Sequence, residues 1–227
     1  MVRGGQQDRI IGKDTIIPPT GKPVDLGVYC VEHGRWSGKQ DFNAPAASYG
    51  ITAPNIRGSA QYNKSQERVW AGVAKGGGAL SVASPSSAYR DIASDKSVSK
   101  RVDDYVDAIE AKFPLSKAQG VAIAVNGQMV WFDRFSTNNM FRKYWPKLIR
   151  SYAMEALTNQ QRLPSKAPTW ADAMNFVTDR NGKTSYEVNE YNVKVTKIES
   201  KDFQILRLED LAVKPNASVH ESKVVKD

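Results

Sequence analysis

Cysteine is almost absent from this 227-residue chain: Cys30 stands alone, which excludes an internal disulfide and a structural zinc site built on several thiolates. Histidine is nearly as scarce, with only His33 and His220. No apolar run is long enough to span a bilayer. The first ten residues, MVRGGQQDRI, lack the apolar stretch of an export signal. A cytoplasmic protein is therefore expected, or an exported one if the chain begins at a processed or truncated end. No internal repeat or low-complexity tract is present, and neither is a Gly-x-Ser-x-Gly elbow or a His-Glu-x-x-His pair. Gly34 to Lys39 falls short of a phosphate-binding P-loop, because three residues separate its glycines and Gln40 follows the lysine. No cofactor and no metal are expected.

What the chain does have is positive charge, a formal +8 with a pI near 9.5. Such a balance favours an anionic partner. The basic residues are dispersed, though, and the densest group, Arg142, Lys143, Lys147 and Arg150, has the spacing of a solvated helix face. An anionic small molecule is thus favoured over nucleic acid.

The organising stretch runs from Gln119 to Leu157. Two apolar runs, 121–125 and 129–132, flank Asn126-Gly127, the pair best suited to the positive φ angles of a tight hairpin turn. Ser136 then stands where a helix cap is wanted, ahead of Met140, Phe141, Tyr144, Trp145, Leu148, Ile149, Tyr152, Ala156 and Leu157, recurring at steps of three and four. Pro146 falls inside that helix and predicts a kink or a restart near Trp145. A second amphipathic helix is expected over 98–113, with Asp103, Asp104, Asp107 and Glu110 on its outer face, within reach of the basic face of the first.

Around this nucleus, strands are expected at 9–17 and 24–31, the second alternating so that Cys30 points inward. Residues 37–63 show no periodicity and predict a long loop. A helix from Ser65 should end at Gly76 to Gly78, with a helical turn near Tyr89. Past a proline-bracketed linker at 163–168, β-like runs cover 173–178, 184–188, 191–198 and 203–208. Asn181-Gly182 and Ser200 to Asp202 offer hairpin turns between them. The fold class is α+β, a mainly antiparallel sheet carrying two long amphipathic helices, plus C-terminal hairpins. The domains expected are a core over 1–162, a β-rich extension over 163–213 and a mobile tail over 214–227.

The polar residues worth chemical attention cluster near the N-terminus. Gly4 and Gly5 let backbone N–H groups approach an anion, and Gln6 and Arg9 add donors beside them. Glu32, His33, Arg35 and Trp36 close the neighbouring strand with more polar groups and an aromatic wall. The alternative is that arginine pairs with Asp8 and Glu32 and locks two strands together. Cys30, Glu32 and His33 do not make a metal site, since strand alternation splits them between faces.

The strings GGQQDRIIGKDTIIPP, VYCVEHGRW, QERVW, VAIAVNGQMVWFDRF and MFRKYWPKLIRSYAMEAL together resemble the ARG and rhodanese-phosphatase-superfamily-associated protein domain family, over roughly residues 4 to 157. The resemblance implies a link to ADP-ribose or NAD metabolism. It also implies a missing strand-rich segment before Gly4, so that either the chain is a fragment or a protein partner or second copy completes the N-terminal sheet edge. Three functions follow as expectations: a binding domain for an ADP-ribose-like anion, an interaction module docking through an open sheet edge, and an orphan hydrolase.

Overall fold

The computed structural model describes residues 2–4, 7–17, 19, 24–34, 50–84, 86–160, 166–212 and 218–226. In chain order the elements are β1 (Val2–Gly4), β2 (Gln7–Ile11), β3 (Val28–Cys30), α1 (Pro54–Gln61), α2 (Gln66–Leu80), α3 (Tyr89–Ser94), α4 (Lys96–Glu110), β4 (Gly120–Val125), β5 (Gln128–Phe135), α5 (Asn138–Thr158), α6 (Trp170–Thr178), β6 (Lys183–Val188), β7 (Val193–Glu199), β8 (Phe203–Asp210) and β9 (Ser218–Val225). The architecture is α+β, and both sheets are antiparallel throughout, one ordered β1-β2-β3 and the other β4-β5-β9-β8-β7-β6.

The chain divides into two compact units interleaved in sequence. Unit 1 holds Met1–Lys13, Leu26–Phe113 and Lys147–Gln161; unit 2 holds Asp14–Asp25, Pro114–Pro146 and Arg162–Asp227. Their division in α5 falls between Pro146 and Lys147, yet α5 continues as helix on both sides without a restart. Its cap is Thr137, one residue later than expected, whose hydroxyl accepts from the Met140 N–H at 3.1 Å.

In unit 1 the helices and the small sheet close over a core that includes Ile10, Val31, Ile56, Val73, Val102 and Leu157. Two sequence expectations fail here for packing reasons. Residues 54–61, expected as loop, form α1: Pro54 starts it with a preset φ, and Ile56 and Ala60 are buried. Its N-cap is Ala53, which has no capping side chain, and the Glu155 carboxylate from α5 accepts the Asn55 N–H instead, at 3.0 Å. Burial raises the Glu155 pKa, and this hydrogen bond offsets part of the rise. The triple glycine does not stop α2, which runs on to Leu80 and ends with Ser81 in the left-handed region. A Cβ on Gly72 would come within 3.1 Å of Ile56, so a small residue is needed where α2 meets α1. As expected, Arg150 reaches the acidic face of α4, pairing with Asp103 at 2.5 Å.

Unit 2 is built on the six-stranded sheet. Asn126 and Gly127 take positive φ angles of 50° and 80° and close the β4–β5 hairpin as their chemistry dictates. The Ser200 N–H donates to the Phe203 carbonyl in the β7–β8 turn. Three other expectations are corrected. Residues 173–178 belong to α6, started by a capping box in which Thr169 and Asp172 satisfy each other's backbone N–H groups. Asn181-Gly182 consequently joins a helix to a strand and is no hairpin turn. Residues 218–225, expected as part of a mobile tail, form β9, an inner strand between β5 and β8.

Candidate functional site

The β2–β3 ladder sets Arg9 opposite Cys30, so the two N-terminal motifs lie on adjacent strands. The Gln66 amide fixes β3 from α2: its oxygen accepts the Cys30 N–H at 2.8 Å and its nitrogen donates to the Cys30 carbonyl at 2.7 Å. Asp8 and Glu32 are both buried, at 1% and 0% exposure, and between them stands Arg90 of α3. Its Nη2 and Nε donate to the two Asp8 oxygens at 2.8 and 3.2 Å, a two-pronged geometry, and Nε lies 3.5 Å from Glu32 Oε1. The Asp8 hydrogen bond, opposed by partial burial, raises the Arg90 pKa further and keeps it charged.

Of the residues expected to form an anion site, Gly4 ends β1 opposite Gln7, Arg9 is half-buried in β2, and Glu32 is wholly buried. His33 is exposed, its ring edge-on to Trp70 at 4.4 Å. Gly5, Gln6, Arg35 and Trp36 lie outside the described residues. Cys30 is buried and its thiol donates to the Glu32 carbonyl at 3.4 Å. What the described residues gather is two carboxylates around one guanidinium, a strand-to-helix clamp.

Unit 2 holds a second charged cluster. The His220 Nδ1 bonds to Asp14 and its Nε2 lies 3.0 Å from Asp133 Oδ1; the other Asp133 oxygen accepts the Trp131 indole N–H at 2.8 Å. The imidazole stacks on Phe135 at 4.5 Å, and Phe135 in turn on Tyr144 at 5.1 Å. Burial alone would lower the His220 pKa, but Asp14 and Asp133 together outweigh it and lift the pKa to about 10. With both ring nitrogens bonded to carboxylates, His220 is an imidazolium strut and no general base. Because the folded pKa lies above the ordinary 6.5, its contribution is complete below that pH and is lost as pH rises toward 10. Wild-type protein should therefore lose a few kcal/mol of stability, in order of magnitude, between neutral pH and pH 10. Urea midpoints across that range should fall steeply for wild type and less for His220→Gln.

Near the end of the same strand, Lys223 caps α6, donating to the carbonyls of Phe176 at 2.6 Å and Asp179 at 2.9 Å. Its ammonium also lies 3.6 Å from the Phe203 ring centroid. Burial, partly countered by Asp179, lowers its pKa to about 8. An open cleft of about 700 Å³ beside it is lined by Asn175, Arg180, Asn181 and Asp202 among others. The cations lining it are already engaged: Lys223 as above, and Arg180 with Glu221, which also holds Arg207 at 2.8 Å.

The remaining feature is an edge. Strand β6 pairs only with β7 among the described residues, in one register from Lys183↔Glu199 to Val188↔Lys194, and all six of its residues are exposed. The Asn189 N–H donates to Val193 O at 3.0 Å, a pair in that same register, so it is a hydrogen-bonded pair of the ladder. Such pairs alternate along an antiparallel ladder. Ser185 and Glu187 therefore bond inward to β7, while the N–H and C=O groups of Thr184, Tyr186 and Val188 point out of the sheet. Tyr186 is 69% exposed and Val188 48%. The opposite edge, β4, is interrupted by a bulge between Ile123 and Ala124; β6 has neither bulge nor proline.

Residues 1–225 match the family model described as the ARG and Rhodanese-Phosphatase-superfamily-associated Protein domain. The match extends past residue 157 and takes in the C-terminal strands. No curated protein and no solved structure matches the chain.

Proposed function

The chain belongs to the ARG and Rhodanese-Phosphatase-superfamily-associated Protein domain family, and for this member we propose a protein-interaction module that docks through the open edge of its six-stranded sheet. The observation that carries this proposal is β6: six exposed residues, outward backbone groups at three of them, and none of the bulges or prolines that blunt edges. The N-terminal motif supports it by contrast, since its carboxylates Asp8 and Glu32 face Arg90 and tie β2 and the end of β3 to α3. Amide exchange in dilute protein is the test. The N–H groups of Thr184, Tyr186 and Val188 should exchange freely while those of Ser185 and Glu187 are protected. Protection of all five in dilute protein would mean that the chain covers its own edge, and docking there would fail.

A second function is favoured by the Arg9↔Cys30 pairing, which draws the two N-terminal motifs together. On it, an ADP-ribose-like anion binds through Gly4, Gly5, Gln6, Arg9, Glu32, His33, Arg35 and Trp36. Calorimetry with ADP-ribose should then show binding that weakens about tenfold or more in Arg9→Ala, as loss of a charge-assisted hydrogen bond requires. Absence of heat at millimolar ligand would remove it.

A further inference from the structure

The edge strand reads KTSYEV from Lys183 to Val188, and its two charges, four residues apart, are opposite in sign. Single charges on an edge normally repel a stray strand. Here they select one. The outward-pointing residues are the even ones, so an incoming antiparallel copy of β6 must set even residues against even ones to form its hydrogen bonds. One such register sets Lys183 opposite Glu187 and, by the two-fold symmetry, Glu187 opposite Lys183. Thr184 then faces Tyr186 twice in the hydrogen-bonded pairs, and Ser185 faces itself on the axis. The charged pairs fall at the non-hydrogen-bonded positions, where side chains approach more closely. Sliding by one step of two residues puts Glu187 against Ser185 and leaves Lys183 beyond the strand end.

Building on the docking edge argued above, we propose that its occupant is a second copy of this chain, paired β6 to β6 in the Lys183–Glu187 register to make one continuous twelve-stranded sheet. The contact is isologous, and it closes at two copies because each copy's β6 edge is used up in the pairing. The strand pair is short, so the dimer is weak and concentration-dependent.

Sedimentation equilibrium of the full chain, from the micromolar to the millimolar range, is the experiment. Wild type should show a reversible monomer–dimer equilibrium. Lys183→Glu and Glu187→Lys each place like charges opposite one another twice, and each should weaken self-association roughly tenfold or more. Mixing the two variants restores both opposite-charge pairs, so the mixture should associate as wild type does. Neither exposed substitution is expected to alter folding, which thermal melts check. Wild type that stays monomeric, variants that dimerise as well as wild type, or growth into open filaments would each overturn the inference. A monomer whose Thr184, Tyr186 and Val188 amides still exchange freely leaves the docking edge standing for another partner. A monomer in which they are closed removes both.

Discussion

Trp145→Ala should destabilise the protein by about 3 to 5 kcal/mol, the range for removing a large aromatic ring from a core that cannot collapse onto the space. The side chain is 2% exposed, and its ring packs on Phe141 at 5.4 Å, which packs on Phe135 at 5.9 Å. Phe141 and Tyr144 thus meet Phe135 where the start of α5 reaches β5, and Trp145 backs Phe141. Phe141 is wholly buried and Phe135 nearly so, leaving little freedom to fill the cavity. Urea unfolding of the variant measures the loss. A change below about 1 kcal/mol, the surface range, would contradict the placement of the aromatic stripe in the core.

Arg90→Ala should cost as much for a different reason. It leaves Asp8 and Glu32 buried without the guanidinium that both face, and breaking a buried ion pair from one side costs about 3 to 5 kcal/mol. Arg90→Met, which keeps the stem and removes the guanidinium, identifies the cause. It should cost nearly as much as Arg90→Ala. A cost close to zero in Arg90→Met would mean that Arg90 matters through packing of its stem alone.

Which parts of this arrangement could be read from the sequence follows from how local their causes are. Asn126-Gly127 was legible because a two-residue turn with positive φ is demanded by those two residues themselves. The α5 stripe was legible because burial at Phe141, Trp145, Leu148, Ile149 and Tyr152 follows a helical period, although Tyr144, expected on the same stripe, is 42% exposed. The triple glycine misled because its usual meaning is local, whereas its role in α2 is set by Ile92, whose Cδ1 lies 3.5 Å from a Cβ built on Gly77 and 3.8 Å from one built on Gly76. In α6 the run from Ala173 to Thr178 is apolar enough for a strand, and the deciding signal sat earlier, in the Thr169–Asp172 capping box.

Strand β9 was hidden by its polarity. Its buried residues include Glu221 and Lys223, which are tolerated inside because Arg180 and Arg207 receive the first and the end of α6 the second. None of those partners is nearby in sequence. The same holds for the clamp: Arg90 lies 82 residues from Asp8, in a stretch with no motif to mark it. His220 likewise falls in the stretch expected as a mobile tail, although Asp133 and Asp14 hold it in the sheet. The edge at β6 was partly legible as a short β-like run, but its position as the last strand of six depends on β9 inserting beside β5.

The central claim is that this protein works through the outward backbone groups of β6, and residue-resolved amide exchange over a concentration series tests it most directly. At low concentration Thr184, Tyr186 and Val188 should exchange freely beside protected Ser185 and Glu187. As concentration rises, protection should grow at Thr184 and Tyr186, whose N–H groups meet a partner strand, with little change at Ser185 and Glu187. Protection at β6 that is already complete in the most dilute sample, or that rises with concentration at some other element while β6 stays open, would contradict the claim.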